Sequence, residues 1–209
     1  MKQRFLNLML LVAMIFGVST VSFAQSKMLK KDVKKTCKEW KKQGWSLYAT
    51  TSTMEYALTK YREYIEADEE NHVVITGIAI GKNPKIGRQN AIHDGVANYA
   101  IRAKSQVVGK MKSLASSTNL DEEVEEIDKF GYAFEQGVNA RLSNLVKVHF
   151  VLVRDKDGKK EFQAFMTCDE SAARKAREEA AKEAKRKVAL TELSEQVEEF
   201  IGEPVEMDE

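Results

Sequence analysis

The chain has 209 residues, and its 33 basic and 32 acidic residues give a formal net charge of +1. A dedicated nucleic-acid-binding protein is normally strongly basic, so this near-neutral balance argues against that class. The two cysteines are far apart in the sequence, whereas a thiol redox enzyme typically has a close CxxC pair.

Residues 1–24 have the pattern of a secretory signal peptide. Two basic residues precede the apolar run Phe5–Val18, and small residues at the −3 and −1 positions predict cleavage between Ala24 and Gln25. No later segment approaches the ~20 apolar residues that a membrane-spanning helix needs. The cleavage site also has no cysteine to which a lipid could be attached. We therefore expect export to the periplasm or to the extracellular face of the envelope.

Residues 27–43 predict an amphipathic helix, because apolar residues from Leu29 to Trp40 recur every three or four positions. Lysines crowd the rest of its surface, and three interpretations are open. The helix is an ordinary charged packing helix, or it pairs with the acidic segment 192–209 within one chain or between copies, or it contacts an anionic membrane or lipopolysaccharide. The lysines predicted to contact an anionic surface are Lys30, Lys31, Lys34, Lys38 and Lys41.

A short apolar connector at residues 45–48 follows this helix. Residues 52–55 form a capping-box pattern, which predicts that a second helix starts there and extends to about Ala67. The segment Val73–Gly81 then predicts a strand. Its apolar residues on both faces indicate that the strand is covered on two sides or lies centrally in a sheet.

An asparagine–proline turn ends this strand, and residues 87–114 predict a long helix with one apolar stripe. Ala91 and Gly95 lie beside the stripe, where small side chains permit a helix to approach a sheet closely. A further acidic helix is predicted to begin within residues 121–128.

The last part of the chain predicts a β-hairpin followed by a long helix. Residues 146–154 and 161–168 read as strands, and the sequence DKDG between them is a strong hairpin signal. An alanine-rich helix is predicted from residue 169 or 171 to about Ile201.

Together these elements predict an α+β fold, in which a three-stranded, mainly antiparallel sheet packs on a long helix. The chain divides into the signal peptide at 1–24, an N-terminal helical arm at 25–70, an α+β domain with the C-terminal helix at 71–201, and an acidic tail at 202–209. The C-terminal helix has a narrow stripe of alanine and leucine, which is suited to pairing with a second copy.

One segment of the chain has a family pattern. A G-I-A-I-G strand at 77–81 is followed by R-Q-N-A-I at 88–92, by Asp94 and by alanines at 97, 100 and 103. This pattern resembles the LPP-twenty family of bacterial envelope lipoproteins and the N-terminal domain of the flagellar T protein, over about residues 72–190. The resemblance implies an envelope protein of this fold and brings no catalytic residues. The chain departs from it at Gly87 and Gly95, at the lipid-attachment cysteine, which it lacks, and in its N-terminal helices, which the pattern does not include.

The patterns that would predict catalysis or a cofactor are not fulfilled. The predicted strand ends in two spaced glycines and a lysine, but a phosphate loop needs four residues between its glycines and Ser or Thr after the lysine. His72, His93 and His149 do not have the spacing of a metal site such as HExxH. The acidic residues 121–128 lack the alternating pattern of an EF-hand loop. We therefore expect no catalytic residue, no metal and no cofactor.

The two cysteines leave an alternative open. Cys37 and Cys168 form one disulfide in an oxidising compartment, or both are buried as small apolar residues. Sequence spacing does not decide between these alternatives.

The sequence favours a non-catalytic envelope protein that acts by binding or assembly. Its partner would be another envelope protein, or a second copy joined through the C-terminal helix. The alternative is a peripheral protein that binds a membrane or lipopolysaccharide with its basic N-terminal helix. An uncharacterised hydrolase is a further alternative, which would require a deep pocket with convergent polar groups and perturbed pKa values.

Overall fold

The computed structural model describes residues 28–118, 124–188, 196–205 and 207. In this part of the chain the elements are α1 (28–42), β1 (Ser46–Leu47), α2 (Met54–Glu66), β2 (His72–Gly81), α3 (Pro84–Ser117), α4 (Val124–Leu142), β3 (Lys147–Lys156), β4 (Lys159–Asp169), α5 (Glu170–Lys187) and α6 (Gln196–Gly202). Helices beside an antiparallel sheet confirm the predicted α+β class. None of the helices in the described ranges combines the length and the apolar character needed to cross a membrane. The predicted signal peptide, with its cleavage site between Ala24 and Gln25, lies outside the described residues.

The sheet has four strands in the order β1-β3-β4-β2, and every neighbouring pair is antiparallel. The prediction of three strands is wrong because of β1, whose residues Ser46 and Leu47 pair with Val153 and Leu152. A strand of two residues shows no alternation of apolar and polar positions, so in the sequence it looks like a connector.

β2 lies at an edge of the sheet, and β4 lies between β2 and β3. The apolar run of β2 therefore does not mean burial along its whole length, since Ile78 and Ile80 are 50% and 49% exposed. The backbone N–H of Ile78 donates a hydrogen bond to Asp94 Oδ2 at 2.9 Å. Asp94 thus occupies one of the backbone groups that a further strand would need at this edge.

β3 and β4 form the predicted hairpin, and its turn residues Asp157 and Gly158 have φ angles of 51° and 72°. Positive φ at both positions is the geometry of a type I′ turn, which matches the twist of the flanking strands. The alternation predicted for the first strand is interrupted by a bulge, because the register shifts between Val148 and Phe150. Val148 packs toward one face of the sheet and Phe150 toward the other, so the bulge reverses the inward-facing positions.

Both faces of the sheet are covered. On one face, which we call the inner face, α3 and α5 pack on β2 and β4, and α4 and α6 pack on these two helices. On the other, outer face, α1 and α2 close a separate cluster, so the helices predicted as an N-terminal arm form a layer on the sheet. This outer cluster consists of Val33, Cys37, Trp45, Met54, Leu58, Tyr61, Phe150, Leu152 and Phe165.

α3 approaches β2 through small residues, as predicted. A Cβ atom added to Gly77 would lie 2.1 Å from the carbonyl oxygen of Ala91, and one added to Gly95 would lie 2.9 Å from a carbonyl oxygen of β2. The helix begins earlier than predicted, because Asn83 caps it and Pro84 is its first residue. Proline is favoured there since a first helical residue has no N–H bond to lose.

The prediction of one continuous C-terminal helix is wrong. α5 ends at Lys187, and Val188 has extended backbone with φ −131° and ψ 130°, which a β-branched residue favours. Residues 189–195 lie outside the described part of the chain. α6 then packs on the inner face through Val197 and Ile201.

Arg177 of α5 attaches this C-terminal segment to the inner face. Its side chain is 1% exposed, and its guanidinium donates hydrogen bonds to the Tyr99 hydroxyl and, at 2.6 Å, to a Glu170 carboxylate oxygen. It also donates to the backbone carbonyls of Ile201 and Glu203, at 3.1 and 2.9 Å. A buried charge is tolerated only when it is paired and hydrogen-bonded, and this arginine meets both conditions.

Candidate binding surface on helix α1

α1 turns its apolar side chains toward the sheet. Val33 and Cys37 are buried in the outer cluster, and the centroid of the Trp40 ring lies 5.4 Å from that of Phe165. These residues recur at the helical period and therefore form one stripe. The stripe packs on the outer face, so Trp40 contributes to folding.

The remaining surface of α1 is a set of exposed lysines, which we call the lysine face. It consists of Lys30, Lys31, Lys34, Lys35, Lys38, Lys41 and Lys42. It includes all five lysines predicted to contact an anionic surface. Lys41 lies 3.7 Å from Glu55, and the other members have no carboxylate partner within the described part of the chain. Asp32, which lies on the same helix, pairs instead with Arg62 of α2.

The acidic C-terminal segment does not neutralise the lysine face where the structure describes it. α6 lies on the inner face of the sheet, and α1 lies on the outer face. Glu203 pairs with Lys110 of α3, and Glu198 lies 3.5 Å from Lys185 of α5. The interpretation in which this segment pairs with α1 inside one chain is therefore wrong for the described residues.

The lysine face has the properties of an electrostatic binding surface. A lysine near an anionic lipid surface contributes about 1 kcal/mol. Salt screens such interactions over about 8–10 Å at physiological ionic strength. Because the apolar stripe of α1 is packed on the sheet, the face offers charge without an apolar surface for insertion.

Both cysteines are free and buried. Cys37 lies in the outer cluster and Cys168 in the inner one, on opposite faces of the sheet. The structure therefore does not contain the disulfide that the sequence left open. Burial raises the pKa of both thiols, that of Cys168 to about 11, which keeps them protonated at neutral pH.

Two histidines that are distant in the sequence lie together on the outer face. The ring centroid of Tyr64 is 4.0 Å from that of His72 and 4.9 Å from that of His149. His149 Nε2 lies 2.8 Å from Thr167 Oγ1. Burial, and then the charges of Lys147 and His72, lower the pKa of His149 to about 4, so its ring is neutral at pH 7.

Sequence reasoning missed this pair because strand register determines it. β2 and β3 both pair with β4, and that pairing brings the start of β2 beside the start of β3. The third histidine, His93, is on α3 and bonds to Gln89 at 2.9 Å. Within the described residues, no group of three or more His, Cys, Asp or Glu side chains is placed to hold a metal ion.

No family model, curated protein or solved structure matches this chain. The resemblance to the LPP-twenty family therefore stays a prediction from the motif residues. The chain departs from the family pattern at Gly87 and Gly95. A Cβ added to Gly87 would lie 2.3 Å from a ring atom of Phe162, and one added to Gly95 would lie 2.6 Å from the terminal methyl of Met166. In this chain, packing accounts for glycine at both positions.

Proposed function

We propose that this protein is an exported, non-catalytic protein of the cell envelope, and that it binds phosphate-bearing anionic surfaces through the lysine face of α1. The observation that carries the proposal is the exposure of these lysines, of which all but Lys41 have no carboxylate partner in the described residues. Export is inferred from the signal-peptide pattern of residues 1–24.

The same observation determines the expected mode of binding. With Val33, Cys37 and Trp40 packed against the sheet, the helix contributes charge rather than an inserted apolar face. Binding should therefore depend on the fraction of anionic lipid and be reversed by salt, because charges farther apart than the Debye length are screened.

The alanine stripe of α5 supports binding through α1 rather than self-association through the C-terminal helix. Ala173, Ala176, Ala180 and Ala184 are at most 3% exposed, and they pack in or beside the inner face. Gly137 of α4 lies against this stripe, since a Cβ added there would be 2.9 Å from the Ala180 methyl. The stripe is therefore occupied within the chain.

The test is co-sedimentation of the full chain with vesicles of phosphatidylcholine and phosphatidylglycerol. We expect binding at low salt that disappears at high salt and is absent with pure phosphatidylcholine. The variant K30E/K34E/K38E should lose binding by more than about tenfold, since each reversal alters an interaction worth about 1 kcal/mol. The matched control is K82E/K85E/K159E, which reverses three exposed, unpaired lysines outside α1.

Two outcomes contradict the proposal. One is an absence of wild-type binding to anionic vesicles at low salt. The other is an equal loss of binding in both triple variants, because net charge rather than the lysine face would then be responsible.

A further inference from the structure

A pocket lies beside β3, at the point where β1 stops. β1 pairs with β3 at Val153 and Leu152, and the N–H of Tyr48 still bonds to the carbonyl of Val151 at 2.9 Å. Beyond that bond, the bulged part of β3 lines a pocket of about 320 Å³ together with the loop after β1, α2 and the first turns of α3. This volume lies within the range of small-molecule sites.

The walls of this pocket combine apolar residues with polar and positively charged ones. Its side chains include Tyr48, Thr50, Tyr56, Lys60, Tyr61 and Arg88. Among the described residues that line it, none is Asp or Glu. Arg88 has no ion pair or hydrogen bond within the described part of the chain, and Lys60 bonds at 2.7 Å to Glu63, which does not line the pocket.

Tyr61 provides a second, independent observation. The residue is 6% exposed, and its hydroxyl has no hydrogen-bond partner in the described structure. Edge-on contacts with the rings of His149 and Phe150, at 5.1 and 5.6 Å between centroids, surround the tyrosine ring. Burial raises the pKa of Tyr61 to about 12, so the hydroxyl keeps its proton and is available as a donor. A buried hydroxyl without a partner is rare because leaving it unbonded costs free energy.

We propose that this pocket binds a small organic anion, which consists of one ring bearing a phosphate or carboxylate group. Arg88 and Lys60 supply the positive charge for the anionic group, and the planar guanidinium can hold two of its oxygens at once. Tyr48 and Tyr56 supply aromatic surface for the ring. The pocket is separate from the lysine face, so this inference does not depend on the proposed function.

The experiment uses the full chain and isothermal titration calorimetry with phenyl phosphate and with benzoate as probes. We expect saturable binding of at least one probe, weaker binding of inorganic phosphate, which lacks the ring, and no binding of phenol, which lacks the charge. R88Q should weaken binding by about tenfold or more, because it removes a charge-assisted contact. K85Q is the matched control, since Lys85 is exposed in the first turn of the same helix and does not line the pocket.

Equal affinities of R88Q and K85Q would overturn the proposal, as would the absence of saturable binding of both probes in the millimolar range. Vesicle binding by the same R88Q protein should equal that of wild type. Loss of both kinds of binding together would show that Arg88 belongs to one general anion-binding surface, and the separate pocket would be excluded.

Discussion

The two faces of the sheet are packed by different means. On the inner face, glycines such as Gly77 and Gly95 let α3 approach β2 closely, and Arg177 has every hydrogen bond it needs. On the outer face, large rings such as those of Trp40 and Tyr61 fill the space between α1, α2 and the sheet. One of these, Tyr61, has an unbonded hydroxyl.

This difference separates the part of the molecule that holds the fold from the part that offers groups for binding. A buried polar group without a partner lowers stability, whereas an exposed charge is hydrated by solvent and is free to meet a ligand. Six of the seven lysines of the lysine face, and Arg88, have no carboxylate partner among the described residues, and they lie on the outer face or at the sheet edge beside it. The groups that we propose for binding therefore lie on or beside the outer face.

The largest effect is expected from Gly77→Ala on the inner face. The new methyl would lie 2.1 Å from the carbonyl oxygen of Ala91, which belongs to the backbone of α3 and moves only with the helix. We expect the free energy of unfolding to fall by about 3 kcal/mol, at the upper end for an overpacked core. Denaturant unfolding, monitored by tryptophan fluorescence, measures this change in the free energy of unfolding.

The control is Gly109→Ala on α3, where no atom lies within 4 Å of the added Cβ. It should raise stability by about 0.5–1 kcal/mol, because alanine is the better helix former. If both variants changed stability by less than about 1 kcal/mol, the close contact of α3 with β2 would not limit packing.

Replacing each of the two buried tyrosines with phenylalanine removes one hydroxyl from each face. The effects on the free energy of unfolding then compare the two faces directly. Burial raises the pKa of both Tyr61 and Tyr99 to about 12, but the Tyr99 hydroxyl bonds to Arg177 and the Tyr61 hydroxyl bonds to nothing described. Without ligand, Y99F should lower the free energy of unfolding by about 2 kcal/mol, and Y61F should raise it by about 1 kcal/mol. Equal losses in both variants would contradict the difference between the faces.

A histidine of the outer face should also make the free energy of unfolding fall as the pH falls. Folding lowers the pKa of His149 from 6.5 to about 4, with burial as the largest cause. As pH falls below 6.5, the unfolded chain binds this proton and the folded chain does not until pH approaches 4. Stability present above pH 6.5 is therefore lost progressively between pH 6.5 and 4, by about 2 kcal/mol at pH 5.

Unfolding measured at pH 7, 6 and 5 for wild type, H149Q and H93Q checks this effect. H149Q should lose less stability than wild type over this interval, whatever its stability at pH 7. H93Q, which changes an exposed histidine on α3, should follow the wild-type curve. If the free energy of unfolding of H149Q fell with pH as steeply as that of wild type, groups other than His149 would be responsible for the proton uptake.

Local patterns in the sequence were sufficient to predict several features. The turn at Asp157 and Gly158 was predicted because its residue types tolerate positive φ, and the close approach at Gly95 because small residues flank an apolar stripe. The lysine face followed from helical periodicity in α1. Each of these depends on residues that are neighbours in the chain.

Features that depend on pairing between distant segments were not predicted. The bulge at Val148 and Phe150 changes which residues face the core, and the apolar run at 150–153 does not show which side each residue faces. The pocket combines residues near 50, 60, 88 and 149, which only the sheet register brings together. The tertiary fold likewise determines that the C-terminal segment does not pair with the lysines, because α1 and α6 lie on opposite faces of the sheet.

The smallest expected effect concerns Ala49, in the loop that leaves β1 and lines the pocket. Its φ of 50° places a residue with a Cβ in the left-handed region, at a cost of about 1–2 kcal/mol. Glycine removes that cost but increases the entropy of the unfolded chain, which offsets about 0.5–1 kcal/mol. A49G should therefore raise the free energy of unfolding by about 0.5 kcal/mol, the difference between these effects. Ala172→Gly in helical α5 is the control and should lower it by up to about 1 kcal/mol. A loss of the same size in both variants would mean that the loop beside the pocket relaxes at no cost, and that Ala49 stores no strain.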